Sequence, residues 1–159
     1  MELWDAYDEN LNIIEGIVLK RGEPICKGCF HLVCDILVRH SDGQYLLMKR
    51  DLCKHQGGMW EASAGGSALL KETPLDCALR ELYEETGIIP KEIFEIGKVI
   101  DENTIYVEFF CVTDCNKDAV VLQPGETIAY RWVDINVLQE LTDELVNQRT
   151  IGFLKELQE

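Results

Sequence analysis

Apolar residues fall into short runs along the chain, and residues that favour turns separate the runs. The most apolar run, residues 30–39, predicts a central strand. Residues 45–48 predict its hairpin partner, because Ser41-Asp42-Gly43 between them is typical of a turn. Further strands are expected within residues 3–20 as a hairpin around Asp8-Glu9-Asn10, and at residues 93–100, 105–112, 120–122 and 127–133.

One segment carries the signals of a helix at both of its ends. Thr73 is a preferred N-cap residue, Pro74 suits the first helical position, and Gly87 provides a C-terminal stop. We therefore predict a helix over about 73–86. Its apolar residues share one face at helical spacing and are expected to point into the core; they are Leu75, Ala78, Leu79 and Leu82.

The order of the elements predicts the fold class. Strands come before and after the central helix, and two further helices, at residues 135–141 and 143–157, close the chain. This order favours an α/β fold in which helices cover both faces of a mixed sheet, an α/β/α sandwich. A chain of 159 residues suits one core, and no linker or repeat interrupts it, so residues 1–159 are expected to form a single domain.

Charge and composition restrict the partners. The net charge is −14, from 15 basic and 29 acidic residues, which should repel a nucleic acid polymer. A small phosphorylated substrate stays open if cations bridge it to the protein. No run approaches the roughly 20 apolar residues that a membrane span needs, and the acidic start lacks the layout of a signal peptide. A cytoplasmic protein is expected.

The seven cysteines suggest reduced thiols, because their number is odd and no signal peptide precedes them. Cys26 and Cys29 form a CxxC pair, and Cys111 and Cys115 lie four apart. Zinc binding by these four is an alternative, but a lone CxxC is a weak signal. We expect small apolar packing, with neither zinc nor an obligatory disulfide.

The predicted central helix carries a stripe of carboxylates. On a helical wheel, Glu84 lies about 60° to one side of Glu81 and Glu85 about 40° to the other. The leucine face is expected to point about 120° away. Two carboxylates about 5 Å apart repel by roughly 3 kcal/mol at an effective dielectric near 20, and a divalent cation would reverse the sign. Oxygen ligands suit Mg²⁺ or Mn²⁺ better than zinc.

A surface cluster is the simpler alternative for the same residues. Arg80 and Glu84 are an i,i+4 pair, so part of the stripe could be an exposed salt bridge. Glu81 and Glu85, however, are a like-charge i,i+4 pair, and no Lys or Arg at positions 77, 78, 88 or 89 relieves them. Residues alone leave the metal site and the solvated face about equally supported.

The whole segment from Gly66 to Ile88 resembles the Nudix box. Gly66 is followed after five residues by Glu72 and after seven more by Arg80-Glu81-Leu82; Glu84-Glu85 and Gly87-Ile88 complete the spacing. A chance match at one start is on the order of one in a billion. The resemblance implies a Nudix-type α/β/α sandwich with a central Nudix helix, and a hydrolase that cleaves a diphosphate linkage with Mg²⁺, for which Mn²⁺ can substitute.

The resemblance also implies roles for individual residues. Glu81 and Glu85 match the main metal ligands, and Glu84 matches a further ligand or a carboxylate that positions water. Gly65, just before the box, matches a residue whose backbone carbonyl often completes the metal shell. Arg80 matches an arginine that orients the catalytic carboxylates. Glu72 matches the box glutamate, which is often an accessory to the metal site, and it is also a substrate-binding candidate.

Three further residues are candidates outside the box. In similar proteins the general base often lies on a distant loop, and Glu126 is the candidate here; its alternative is an ordinary loop acid. Lys49 and Arg50 could bind substrate phosphates, and an exposed strand end is the equally supported alternative.

Two functions compete with a hydrolase of nucleoside diphosphates linked to another group. Residues 60–66 and several flanking motifs resemble Nudix proteins related to isopentenyl-diphosphate isomerase. The isomerases use a cysteine and a histidine where this chain has Gly65 and Ser67, so isomerase chemistry is not expected. A non-catalytic ligand sensor is the other alternative, although sensors usually lose box carboxylates. The substrate and the oligomeric state stay open, and a homodimer is common in similar proteins.

Overall fold

The computed structural model describes residues 1–158, which form nine strands and three α-helices. The strands are β1 (Leu3–Tyr7), β2 (Ile13–Lys20), β3 (His31–His40), β4 (Tyr45–Arg50), β5 (Trp60–Ala62), β6 (Ala64–Ser67), β7 (Glu92–Asp101), β8 (Thr104–Thr113) and β9 (Thr127–Val133). The helices are α1 (Pro74–Thr86), α2 (Ile135–Glu140) and α3 (Gln148–Gln158), with short 3₁₀ turns at Lys117–Ala119 and Thr142–Glu144.

The N-terminal hairpin is confirmed as a separate two-stranded antiparallel sheet, β1 with β2. Asp8 organises its turn, because one carboxylate oxygen accepts from the backbone N–H groups of Asn10 and Asn12 at 2.8 and 3.0 Å. Trp4 and Leu19 lie beside each other in the pairing and are buried with Cys29. Trp4 also stacks on His31 at the start of β3, with 4.4 Å between the ring centroids, which holds the hairpin against the main sheet.

The main sheet is mixed, as predicted. β3 pairs in parallel with β8 along its whole length and antiparallel with β6. β7 extends the sheet beyond β8, while β4 carries β5 and β9 on its two sides. β3 and β4 pair through Arg39 and Tyr45, so the predicted hairpin exists but its strands soon diverge.

Helices cover both faces of this sheet, and alternation along β3 supplies both cores. Cys34, Ile36 and Val38 point towards α1, where Ala78 and Leu82 are buried with them. Leu37 points to the other face and packs in the core that the two later helices cover. The α/β/α sandwich is therefore confirmed.

Helix α1 begins and ends where the sequence predicts. The Thr73 hydroxyl accepts from the Asp76 backbone N–H at 3.1 Å, and Pro74 occupies the first turn. Gly87 ends the helix in the left-handed region, with φ of 74°, and its N–H donates to the Tyr83 carbonyl.

The buried face of α1, however, is rotated from the predicted one. Ala78, Leu82 and Glu85 are buried and follow one line at i, i+4 and i+7, whereas Leu75 is 44% exposed. Leu79 is only partly buried. The expectation that the acidic stripe points away from the interior is therefore wrong, because α1 lies on β6 and β3 with part of its acidic side inward.

Two predicted elements differ in the structure. Residues 120–122 form no strand; instead the Val121 N–H donates to the carbonyl of Thr86 at the end of α1. The last helix begins at Gln148, because Asn147 exchanges two hydrogen bonds with the backbone of Ala62, at 2.9 and 2.8 Å, which holds it beside β5. The prediction of a helix from residue 143 is wrong by one turn and more.

The cysteine prediction is also corrected. Cys26 and Cys29 are joined by a disulfide in the segment that links the hairpin to β3. Cys111 is buried in the core beneath α1, and Cys115 packs partly buried against it, as expected of apolar side chains. Within residues 1–158, no helix has the length and apolar character to cross a membrane.

Candidate active site

Arg80, in the middle of α1, is the centre of an ion-pair network. Its guanidinium holds Glu72 with two hydrogen bonds, of 2.7 and 2.9 Å, and also donates to the Ser67 carbonyl at 3.0 Å. It reaches Glu81 at 2.6 Å and Glu84 at 3.3 Å. A bidentate, charge-assisted arrangement of this kind fixes the carboxylates in position. These contacts place Arg80 where it could orient the carboxylates, as the family resemblance implies.

The box glycines let Glu81 lie directly against β6. A Cβ at Gly66 would stand 2.3 Å from the Glu81 carboxyl carbon, and one at Gly65 would stand 2.4 Å from Asp35 Oδ1. Neither position admits a side chain without displacing a polar group. Gly66 therefore presents bare backbone on which the Glu81 carboxylate rests, and Gly65 gives the same close approach to Asp35.

Glu85 is the least accessible of the predicted metal ligands. It is 4% exposed, and burial, together with the charges of Glu61 and Glu81, raises its pKa well above the usual range. Burial likewise raises the pKa of Glu81, although Arg80 opposes the shift. Of these two carboxylates, Glu81 pairs with Arg80, whereas Glu85 forms no salt bridge within residues 1–158.

The opposite wall comes from two loops. Glu126, the candidate general base, precedes β9 and pairs with Lys54, which belongs to the loop after β4. Arg50 pairs with Glu61 at 2.9 Å and donates to the His55 carbonyl at 3.0 Å. The backbone N–H of Asp51 donates to the Glu126 carbonyl at 2.9 Å, so the two loops are tied together.

The walls enclose one cleft of about 390 Å³. It is lined by most of the residues that the sequence predicts, namely Glu81, Glu84, Glu85, Arg80, Gly65 and Glu126, whereas Glu72 lies behind Arg80 and outside the lining. Glu2 and Arg21, an ion pair at 3.2 Å, come to the rim from the N-terminal hairpin.

Lys49 and Arg50 separate, because successive residues of a strand point to opposite faces. Lys49 lies over the ring of Trp60, 5.9 Å from its centroid, and does not line this cleft. Its predicted contact with substrate phosphates is not supported by that position. Arg50 borders a second, adjoining cleft, where its charge is neutralised by the ion pair with Glu61.

Lys54 lines this cleft and Glu61 lines the adjoining one, and neither residue was predicted. Lys54 stands in a polar loop with no local pattern, so its contact with Glu126 depends on the tertiary fold. Glu61 follows Trp60 in a three-residue strand, and its place opposite Met48 directs it to the face where α1 lies. Its charge between two apolar neighbours was the available signal.

The residues fit a hard divalent cation. Glu81, Glu84, Glu85 and Glu126 offer carboxylate oxygens around one cleft, and Lys54 and Arg80 are already paired with members of that set. Within residues 1–158, no three acidic, His or Cys side chains are drawn together closely enough to form a complete ligand set. Mutually repelling carboxylates are expected to remain apart until a cation neutralises them.

Comparison with known proteins agrees with the geometry. The model of the NUDIX domain matches residues 30–154, most of the chain. The chain therefore belongs to the Nudix domain family.

Its relatives include proteins named for different activities. An uncharacterized Nudix hydrolase of Listeria monocytogenes is 40% identical over 56% of this chain, and the match spans 53% of that relative. An isopentenyl-diphosphate delta-isomerase of Roseobacter denitrificans is 30% identical over 79% of this chain and 72% of its own. A structure from Deinococcus radiodurans, DR0079, has a TM-score of 0.76 at 15% identity, with 97% and 98% of the two chains covered.

Proposed function

We propose that the protein is a Mg²⁺-dependent hydrolase of a diphosphate linkage in a nucleoside diphosphate joined to another group. The observation that carries the proposal is the placement of Glu81, Glu84 and Glu85 around one cleft, with Arg80 fixing two of them. The Nudix box is complete. The hydrolase name of the Listeria relative supports the proposal, although the match covers only 53% of that relative's length.

Glu81, Glu84 and Glu85 would hold the cation, with the Gly65 carbonyl as a further ligand. When bound, Mg²⁺ supplies charge neutralisation of the phosphate oxygens and lowers the pKa of water. Mn²⁺ offers the same preference for oxygen ligands. The cation also explains why a chain of net charge −14 would accept an anionic substrate.

The remaining residues prepare the attack on phosphorus. Glu126 faces the box carboxylates across the cleft and would take the proton of the attacking water as general base. Lys54 holds Glu126 in place and adds a positive charge near the phosphates. Arg80, anchored by Glu72, keeps Glu81 and Glu84 from rotating away, so Glu72 acts on the site through Arg80.

Isomerase chemistry is less well supported, despite the Roseobacter relative. That reaction needs an acid that protonates a carbon–carbon double bond. Gly65 and Ser67 occupy the two predicted positions, and Gly65 has no room for a side chain. Cys77 lies on the buried face of α1, and its thiol donates to the Gly66 carbonyl at 3.5 Å. A sensor without activity would not need this complete set of carboxylates.

Other proposals follow from charge and family. The expected partner is a small diphosphate and not a nucleic acid polymer, since an acidic cleft of limited volume suits the former. A single domain over residues 1–159, a cytoplasmic location and a homodimer remain predictions.

The test is the formation of a nucleoside monophosphate and a phosphorylated partner group, separated by chromatography, from a panel of nucleoside diphosphate derivatives with Mg²⁺, for the wild type and Glu85→Gln. We expect the variant to lose several orders of magnitude in turnover while remaining folded. Glu92→Gln removes the same charge from an exposed position on β7 and serves as the matched control. Near-normal turnover by folded Glu85→Gln would refute the mechanism.

A further inference from the structure

A second cleft, of about 450 Å³, adjoins the first on the other side of the β6 backbone. Lys54, Gly65 and Gly66 line both clefts. A substrate whose diphosphate lies at the box carboxylates would therefore extend its attached group into this second cleft. The volume is within the roughly 300–1,000 Å³ that small-molecule pockets occupy.

The floor of the second cleft contains two acids and one arginine. Asp35 and Glu108 are neighbours across the parallel strands β3 and β8, so their side chains emerge together on the face opposite α1. Glu108 is fully buried and accepts from the Thr150 hydroxyl at 2.6 Å. Arg149 Nε lies 3.1 Å from Glu108 Oε1 and 3.8 Å from Asp35 Oδ2.

This floor is incompletely hydrogen-bonded. Within residues 1–158, the buried side-chain atoms without a hydrogen bond are Asp35 Oδ2, Glu108 Oε1 and Arg149 Nε, because the arginine N–H is close to both carboxylates but aligned with neither. Buried polar atoms are satisfied in the great majority of cases, and each exception carries a cost. All three lie in one cluster, and Asp35 and Arg149 line the cleft itself.

Arg149 also provides a flat surface. Its guanidinium stacks on the ring of Tyr106, with the guanidinium carbon 3.5 Å from the ring centroid. The arginine side chain is 32% exposed, so one face of the stack is accessible from the cleft. A guanidinium held flat on an aromatic ring is a platform on which planar heterocycles stack.

We infer that the second cleft binds a nucleobase that carries an amino group, with the base stacked on Arg149 and its amino N–H donated to the Asp35 carboxyl. The inference rests on the proposed function for the position of the diphosphate. The unpaired Asp35 Oδ2 is itself buried, so the ligand would contact the part of the Asp35 carboxyl that lines the cleft. A carboxyl oxygen there accepts from an amino group, and a planar cation favours an aromatic ring. An apolar prenyl chain would leave this polar floor unpaired.

The test uses free nucleosides without metal, so its outcome does not depend on hydrolysis. Guanosine and inosine differ only in the 2-amino group, and adenosine is compared with the same inosine. We expect at least one amino-bearing nucleoside to bind the full-length wild type about tenfold more tightly than inosine, as one hydrogen bond to a buried polar group implies. Binding is measured by NMR titration.

Two variants of matched size examine Asp35 itself. Asp35→Val removes the acceptor from a strand position that suits valine and should abolish the preference, whereas Asp35→Asn keeps an acceptor oxygen and should retain it. Equal affinity for all three nucleosides, a preference that survives Asp35→Val, or displacement of a bound nucleoside by dimethylallyl diphosphate would each overturn the inference. If Asp35→Val fails to fold, the wild-type comparison decides alone. Detectable binding without hydrolysis of any derivative would refute the proposed function and leave this inference standing.

Discussion

At the scale of single residues, Glu85 shows how a site for a cation is prepared at the expense of stability. It is buried on the inner side of α1, and Glu61, Glu81 and Glu126 all raise its pKa, with Lys54 as the opposing charge. An unpaired buried carboxylate destabilises the folded protein, and a bound cation would remove that destabilisation. The same residue is therefore unfavourable without metal and, under the proposed function, required for metal binding.

This conflict predicts a pH dependence in metal-free protein. The pKa of Glu85 is higher in the folded state than its ordinary 4.5, so the folded state binds the proton more tightly. The stability contributed by protonation is present below pH 4.5 and is lost as the pH rises through the folded-state value. Urea unfolding in chelator should therefore show Glu85→Gln gaining on the wild type as pH rises from 5 to 8. A constant difference between the two proteins would contradict the assignment.

The positions of Glu81 and Glu85 could be predicted because they depend on local sequence. The roles of Lys54 and Glu61 could not, because they depend on the tertiary fold. Glu81 and Glu85 lie on one helix, and their relative positions follow from their spacing in the sequence. Lys54 meets Glu126 across 72 positions of the chain, and only the folded sheet brings them together. Local pattern therefore predicts the proposed ligands on α1, whereas on the wall that faces them the sequence suggested Glu126 alone.

At the scale of elements, the ends of α1 were predictable and its buried face was not. Capping by Thr73 and Gly87 depends on neighbours within one turn. The buried face depends on how the helix lies on the bare backbone at Gly66, which admits Glu81 on that side. Apolar periodicity pointed to Leu75 and Leu79, but the sheet contacts a line shifted towards the carboxylates.

The cap of α1 gives a prediction at this scale. Thr73→Ala removes the acceptor of the Asp76 N–H and should lower the free energy of unfolding by about 1 kcal/mol. Thr73→Ser keeps the hydroxyl and should retain most of the stability. Chemical denaturation of the three proteins measures the difference, and an unchanged midpoint for Thr73→Ala would show that the cap contributes nothing.

The rotated face of α1 gives a second prediction. Leu82→Ala truncates a side chain with no exposed surface and should cost about 2–5 kcal/mol of unfolding free energy. Leu75→Ala makes the same change at a position that is 44% exposed and should cost well under half as much. Thermal melting of the pair distinguishes the observed face from the one that periodicity suggested, for which the two costs would be similar.

At the scale of the whole molecule, the N-terminal hairpin lies outside the matched family domain, residues 30–154, yet contributes to the cleft. Arg21 and Glu2 reach the rim, and the backbone of Leu70 donates to the carbonyl of Leu3 at 2.9 Å just before α1. Asp5 accepts from the Lys71 N–H at 2.7 Å. The hairpin therefore supports the loop between β6 and the Nudix helix, which composition and periodicity did not indicate.

The disulfide between Cys26 and Cys29 closes a short loop in the segment between this hairpin and β3, and its presence can be measured directly. Unfolded but unreduced protein should yield five reactive thiols per chain, and reduced protein seven, because one disulfide accounts for two of the seven cysteines. The loop it closes is short, so the entropy of loop closure limits its stabilisation to about 2 kcal/mol. Reduction should lower the melting temperature by several degrees at most.

Cys29 packs with Trp4 and Leu19, and this contact does not require the bond. The Cys26→Ser variant therefore separates the two contributions: it removes the disulfide, keeps the buried Cys29 side chain, and should melt like the reduced wild type. Cys29→Ser should melt lower still, because it places a hydroxyl among apolar neighbours. Seven thiols before reduction would show that the bond is absent, and equal melting of the two variants would show that Cys29 contributes no packing of its own.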